Sequence, residues 1–400
     1  MGAILSEPVT AMVVEHCSSP SWSAAAVTMQ GWRRSHEDAH LLCPDERSGG
    51  GVFAVLDGHG GSSAAFDGAR LLEEALKQVT LCGKPPGQVQ KILQDAFIDT
   101  DSRLRSHLEA EDRSGSTVVA CILTPEVSGS YTVQIAHAGD SRAVLSRKRC
   151  LFFSKDHKPN REDETRRIEA AGGCVSQGPL GGPMRVDGAL AVSRALGDFH
   201  FKPKGMEPSK TKVSAVPEVQ TISGCSAGDW VLLACDGIFD VMENEEVRTF
   251  VEEHPSKLDG PHGLDAGQVC IDLLKLCLDK GSKDNCTACF IHFGEGPVRS
   301  KSSELLQGGW RGASPEVQGK YAEFFRDHGF EAQASEMNPG RRLSCSKSKG
   351  NPSSPDRPEG GRNSLSSLTR VFQAVRSTRA IQSAWRARKS SDAAPASSTE

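Results

Sequence analysis

Tyrosine occurs only twice in this 400-residue chain, and no apolar stretch approaches the roughly 20 residues that a membrane-spanning helix needs. With hydrophobic content at 37% and charged content at 24%, these absences leave an ordinary globular composition and exclude collagen-like, disulfide-scaffold and membrane-embedded classes. No secretory signal precedes the thirteen cysteines, which lie scattered in apolar runs, so reduced thiols in a cytoplasmic or nuclear compartment are expected. None of the thirteen is followed by Arg six residues later, which removes the phosphate-cradling loop of a cysteine-dependent phosphatase. A Gly-rich phosphate loop with a following Lys is also absent, against a nucleotide-binding protein, and there is no internal repeat.

What is present is asymmetric. The net charge of −4 conceals a basic end: residues 297–400 carry 17 Lys+Arg against 10 Asp+Glu, leaving 30 against 41 in the remainder. An acidic body argues against nucleic acid as a partner and for carboxylate-rich metal sites. At this length one large domain with an appendage is expected. The composition divides the chain into an amino-terminal segment 1–22, a folded body 23–296 and a tail 297–400, rich in Ser, Gly, Pro and Arg and expected to be mostly disordered.

Phe66, Ala69, Leu72, Leu76 and Val79 recur at helical spacing, as do Val89, Ile92, Ala96, Leu104 and Leu108, which predicts two long helices, each covering a sheet. Further helices are predicted over 162–171, stopped by Gly172-Gly173, from Asn244 onward, and over 269–278. Strands are predicted over 52–56, 117–123, 131–136, 143–145, 230–234 and 287–293, several joined by hairpin-type turns. Meandering strands with helices grouped between them predict an α+β layered sandwich in place of a doubly wound parallel sheet. In the tail, Ser314-Pro315 is placed to cap a short helix through Phe325, and residues 368–385 fit a second, basic and amphipathic one.

The chemistry shows at strand ends. Val52-Phe53-Ala54-Val55-Leu56 runs into Asp57-Gly58-His59-Gly60-Gly61, and Trp230-Val231-Leu232-Leu233-Ala234-Cys235 runs into Asp236-Gly237. Two strands of one sheet bring such carboxylates side by side, where they repel and lose solvation, so a cation is expected between them; oxygen-only ligands favour Mg²⁺ or Mn²⁺. Any single Asp-Gly taken alone is more simply a hairpin turn. Repetition changes that, because Glu37-Asp38, Asp140 in Gly139-Asp140-Ser141-Arg142, and Asp284-Asn285 fall in similar settings.

Taken in order, Met29-Gln30-Gly31-Trp32-Arg33, Glu37-Asp38-Ala39-His40, Asp57-Gly58-His59-Gly60-Gly61, Ser114-Gly115-Ser116-Thr117 and Gly139-Asp140-Ser141-Arg142 resemble the PPM family of metal-dependent protein phosphatases, also called type 2C. Asp156-His157-Lys158-Pro159, the run from Leu190 to Asp198, Asp236-Gly237-Ile238-Phe239-Asp240 and Asp284-Asn285 continue the resemblance, which covers roughly residues 1–294. It implies two mainly antiparallel sheets flanked by helices, and a serine/threonine phosphatase acting on phosphoproteins through a metal-bridging hydroxide, without a phosphoenzyme. By the same resemblance Asp57 bridges two Mg²⁺ or Mn²⁺ ions, with Asp236 and Asp284 on one and Glu37 and the Gly58 carbonyl on the other. Asp38 orients metal-bound water, and Asp140 and Asp240 help hold a weaker third ion, although a hairpin turn or a helix cap also accounts for those two.

Arg33, preferred to Arg34 on family register, matches the phosphate fork, a planar guanidinium that stays charged near neutral pH. His59 matches the general acid that protonates the departing oxygen, against the simpler reading of a structural histidine in a Gly-rich turn. Residues 185–198 resemble the family's flap beside the site. Leu56 departs from the pattern, standing where many relatives carry an aromatic, and Cys286 with Cys289 reads as core thiols in place of half a zinc site.

Met1-Gly2-Ala3-Ile4-Leu5-Ser6 fits N-myristoylation at Gly2, and the basic tail would supply the second signal that one acyl chain needs for peripheral membrane association. Arg341-Arg342-Leu343-Ser344 fits a basophilic kinase site at Ser344. Ile381-Gln382 with Arg386 resembles an incomplete IQ motif for calmodulin, with Ala387 and Ser391 departing from it; a solvated tail is the simpler account. A monomer is expected. The competing function is a catalytically inactive phosphoprotein-binding or scaffold member of the same fold, and the survival of Glu37, Asp57, Asp236 and Asp284 speaks against it.

Overall fold

The structure, a computed structural model, describes residues 4–148, 150–255, 264–296 and 298–337. Gly2, which fits lipidation, Ser344, which fits phosphorylation, and the stretch 368–385 with its incomplete calmodulin motif lie outside the described residues.

Strands β1 (Ile4–Val9), β2 (Met12–Ser19) and β3 (Trp22–Met29) lead into the short β4 (Gly31–Arg33), followed by the hairpin β5 (Ala39–Asp45) and β6 (Gly50–Leu56) and the two-residue β7 (Gly58–His59). Helices α1 (Ser63–Lys77) and α2 (Pro86–His107) come next. Pro86 opens α2 at the first helical position, where its missing N–H costs nothing. Then follow β8 (Gly115–Ser116), β9 (Val118–Pro125), β10 (Tyr131–Ala138), β11 (Arg142–Arg147) and β12 (Cys150–Phe153). Helix α3 (Glu162–Ala170) carries three acids in its first turn, which suit the positive end of its dipole, and it stops before Gly172, whose φ is +74°. The chain continues through β13 (Val175–Gln177), β14 (Met184–Val186), β15 (Leu196–Gly197), β16 (Glu218–Cys225) and β17 (Trp230–Ala234) into α4 (Asp236–Phe239) and α5 (Asn244–Glu252). Last come α6 (Ala266–Asp279), β18 (Cys286–Phe293), β19 (Arg299–Leu306), α7 (Pro315–Asp327) and α8 (Glu331–Glu336).

Two antiparallel sheets face each other, one ordered β16-β10-β9-β6-β5 and the other β12-β11-β17-β18-β3-β2-β19. The α+β sandwich read from the sequence is thus the observed architecture, with a refinement: α1 and α2 both lie on the five-stranded sheet, while α6 covers β2, β3 and β18 of the other. In the first pairing Ala54, Ala120 and Ala136 stand in register across β6, β9 and β10. Their small side chains let the helices settle close, so that Leu71, Leu72, Leu93 and Phe97 join one buried cluster with them. Phe66, counted in the apolar stripe of α1, is 39% exposed and lies outside it.

The expected divisions at residues 22 and 296 do not mark the edges of this body. Residues 12–19 and 299–306 form the paired strands β2 and β19 at one edge of the seven-stranded sheet. Val317, Tyr321, Phe324 and Phe325 on α7 bury against Leu5, Val9 and Val13, and the Tyr321 hydroxyl accepts a 2.9 Å bond from the Thr10 amide. β19 escapes the sequence reading because its side chains are mostly exposed and polar, so backbone pairing alone defines it. Ser314 precedes α7 as foreseen, but its hydroxyl makes no capping bond.

Candidate active site at the ends of facing sheets

Asp57 leaves β6 and Asp236 leaves β17, strands that belong to different sheets. The carboxylates therefore meet across the sandwich and not along one sheet, as the sequence had suggested. Asp140, in the β10–β11 turn, joins them: Asp57, Asp140 and Asp236 each offer an oxygen within 4.8 Å of the other two. Two glycines make this approach feasible. A Cβ at Gly58 would lie 2.2 Å from the Glu37 carbonyl oxygen, and one at Gly237 only 2.0 Å from that of Asn285.

So many acids in a half-buried place resist ionisation together. Burial, then the charges of Asp236, Asp38 and Asp284, pushes the Asp57 carboxyl well above its ordinary range, and burial with Asp140 and Asp284 does the same to Asp236. The Lys158 ammonium, 2.5 Å from Asp140 Oδ2, offsets one charge. Its own pKa is raised, since Asp140 outweighs the burial that opposes it. Asp240 closes α4 with a backbone bond to the Asp236 carbonyl, 2.8 Å, and partial desolvation with the charges of Asp140 and Asp284 raises its exposed carboxyl too. It does not cap α5, where Glu243 and Glu246 form a reciprocal capping box. A donor set of carboxylates with excess negative charge fits hard divalent cations.

Glu37 approaches from the β4–β5 connection. Its amide donates to Asn285 Oδ1 at 3.0 Å and its carboxylate accepts from Ser35 Oγ at 2.8 Å. Asp284, just before β18, is paired with Arg33. The guanidinium's pKa is raised by Asp284 against an opposing burial effect, so the group expected to grip phosphate stands charged beside an expected metal ligand. Asp38 is buried and accepts from Thr287 Oγ1 at 2.6 Å; burial pushes its carboxyl up to about 7, while the Thr287 hydroxyl pulls the other way.

Sequence reasoning missed the partner of His59. Asp198 Oδ2 lies 2.7 Å from His59 Nε2 and is itself almost wholly buried, in a left-handed backbone conformation at φ +51°. Burial lowers the pKa of the ring, but the charge and hydrogen bond of Asp198 prevail and raise it overall. The signal was available: Asp198 is the acid that ends the run Arg194-Ala195-Leu196-Gly197. The segment between α3 and β16 is tied down separately, by the buried Glu164 carboxylate, which accepts from Ser193 Oγ (2.5 Å), Arg167 (2.6 Å) and Arg194 (2.7 Å).

A second group of possible metal ligands, His137, His157 and Glu218, also draws within 4.8 Å. Its protons are already placed. Gly139 donates its N–H to His157 Nδ1 at 3.2 Å, so the neutral ring carries its proton on Nε2, 3.0 Å from Glu218 Oε2. His137 Nε2 lies 3.0 Å from the Lys155 carbonyl, which can only accept. The ring nitrogens turned toward Glu218 thus bear hydrogens and not lone pairs, and Arg161 completes the carboxylate at 3.0 Å. These contacts tie the cluster together as a structural joint, with His137 Nδ1 buried without a hydrogen-bond partner.

Comparison with known proteins agrees with the geometry. The profile of the family "Protein phosphatase 2C" matches residues 22–286. The chain is 40% identical over 278 residues to mouse "Probable protein phosphatase 1N", covering 68% of this chain but 65% of that one, so it spans just under two thirds of that relative's length. It is 38% identical over 287 residues to human "Protein phosphatase 1A", covering 68% and 70% of the two chains. The crystal structure of a Toxoplasma gondii phosphatase superposes with a TM-score of 0.63 at 26% identity, over 74% of this chain and 99% of that one. With the profile spanning most of the chain and the acids gathered as described, this protein belongs to the Protein phosphatase 2C family.

Proposed function

We propose that the chain is a metal-dependent serine/threonine protein phosphatase that hydrolyses phosphoserine and phosphothreonine in proteins. The observation that carries this reading is the convergence of Asp57, Asp140 and Asp236 from facing sheets, acids that a bound divalent cation would allow to ionise together. Asp57, Asp236, Asp284, Glu37 and the Gly58 carbonyl are the groups that would hold two Mg²⁺ or Mn²⁺ ions, with Asp140 and Asp240 beside them for a weaker third. When bound, such ions neutralise the phosphoryl charge and activate water for direct attack on phosphorus.

The chain's own side chains supply the rest. Arg33 offers further N–H donors beyond the one given to Asp284 and orients the phosphate oxygens. His59, with Nε2 turned to Asp198, is left with Nδ1 to hand a proton to the departing serine or threonine oxygen. Asp38 fixes the attacking water by accepting its hydrogen bond. The test is turnover of a phosphothreonine peptide by the full chain with Mn²⁺, with Mg²⁺ and with chelator. Metal-dependent release of phosphate supports the reading; a folded chain that binds the peptide and never hydrolyses it would replace it with the phosphoprotein-binding one.

A further inference from the structure

Behind Asp38 runs a line of hydrogen bonds that ends at the carboxy-terminal helices. Thr287 Oγ1 donates to Asp38 Oδ2 at 2.6 Å. Thr28 Oγ1 lies 2.6 Å from Thr287 Oγ1, its direct partner across β3 and β18, and 2.7 Å from His36 Nε2. All four side chains are buried. Each hydroxyl has one proton, so the direction is fixed: Thr287 spends its proton on Asp38 and must accept from Thr28, and Thr28 must in turn accept from His36 Nε2–H. Three donors therefore point in series at one carboxylate, an arrangement in which each bond polarises the next. His36 Nδ1 is buried without a hydrogen-bond partner.

The outer side of His36 is held by α7 and the residue after it. The ring meets Phe324 edge-on, with centroids 5.2 Å apart, and His328 at 5.0 Å, while Phe324 and His328 lie 4.3 Å from one another. His328 is fixed by a 2.7 Å bond between its Nδ1 and the Phe324 carbonyl. Phe324 belongs to the core that α7 shares with β1 and β2.

We propose that His36 is a positioning residue for Asp38, acting through Thr28 and Thr287, and that the seating of α7 against the His36 ring sets this line and so couples the carboxy-terminal helices to turnover. The inference rests on the phosphatase reading for its kinetic consequence, but the hydrogen-bond line stands apart from it.

The experiment uses the full chain with Thr28→Val, which keeps shape and removes one hydroxyl, His36→Leu, which removes the first donor, and His36→Gln, which restores an N–H. With saturating Mn²⁺ and a phosphothreonine peptide, Thr28→Val and His36→Leu are expected to lower kcat roughly three- to tenfold at unchanged KM, the scale of one polarised hydrogen bond, with His36→Gln recovering much of it. Phe324→Ala should lower kcat in the parent and leave it unchanged in the His36→Leu background, since both changes act through the same ring. A merely structural role would lower melting temperature without this split, without rescue and without loss of additivity, and that result overturns the proposal. A measurement independent of turnover uses ¹⁵N-labelled histidine in the metal-free chain: Asp38→Asn should shift the His36 Nε2 resonance, and Thr28→Val should abolish that response. An unmoved resonance overturns the line even in an active enzyme, whereas a moved one in a chain that hydrolyses nothing keeps the line and discards the phosphatase reading.

Discussion

Two clusters among the described residues bring possible metal ligands together, and they are opposites. Asp57, Asp140 and Asp236 bring three acids together with one neighbouring ammonium, and burial holds at least two of the carboxyls far from their ordinary ionisation. His137, His157 and Glu218 bring two neutral rings to a carboxylate that Arg161 already serves, with their tautomers set by the Lys155 carbonyl and the Gly139 N–H. Proximity alone does not make a metal site. What separates the two is unmet charge: the first cluster gathers three acids, whereas the single carboxylate of the second already faces the Arg161 guanidinium.

The comparison breaks most readily at Asp57. Asp57→Asn or Asp236→Asn in the full chain is expected to lower turnover of a phosphothreonine peptide by roughly a thousandfold or more, while thermal melts of the metal-free variants show no loss of folding. Next in size is the acid pair. His59→Ala and Asp198→Asn are each expected to cost about a hundredfold on the phosphothreonine peptide, and far less on an aryl phosphate, whose leaving group needs no proton; steady-state rates on the two substrates give the ratio. Arg33→Ala is expected to act on binding, raising KM for the peptide about ten- to a hundredfold, in keeping with the loss of a charged hydrogen bond to phosphate.

The smallest effect lies in the second cluster, and it has the signature of a structural group. Burial first, and His157 second, hold the pKa of His137 down at about 4, against an ordinary 6.5. The unfolded chain takes up a proton that the folded chain refuses, so this group's contribution is complete above pH 6.5 and is lost as pH falls through about 4. The loss amounts to about 2–4 kcal/mol on acidification. His137→Asn is expected to flatten that acid limb in melts taken from pH 7 to pH 4, with turnover at pH 7 within about twofold of the parent.

The sequence revealed those parts of the fold and site that repeat a local pattern. Apolar runs ending in Asp57 and Asp236, and helical stripes such as Val89, Ala96 and Leu104, declare themselves within a few residues. Relations across the chain do not. That β6 and β17 lie in facing sheets is a matter of topology, and the Thr28–Thr287 pair, 259 positions apart, reads locally as two strand-favouring residues. Asp198 was visible as an acid at the end of a conspicuous run, but its partner His59 is 139 residues away. The carboxy-terminal addition was legible only in its helix, read from Ser314-Pro315 through Phe325, and not in its docking on β1 and β2. Val317, Tyr321, Phe324 and Phe325 form an apolar stripe that a tail rich in Ser, Gly and Arg dilutes, and the polar strand before it carries no pattern at all.

The most direct test of the central claim is calorimetric titration of the metal-free full chain with Mn²⁺, in parallel for the parent, Asp57→Asn and His137→Asn. The account predicts tight binding in the parent, its loss in a folded Asp57→Asn chain and its retention in His137→Asn. Equal binding by the parent and Asp57→Asn, or binding lost with His137 and kept without Asp57, would contradict it.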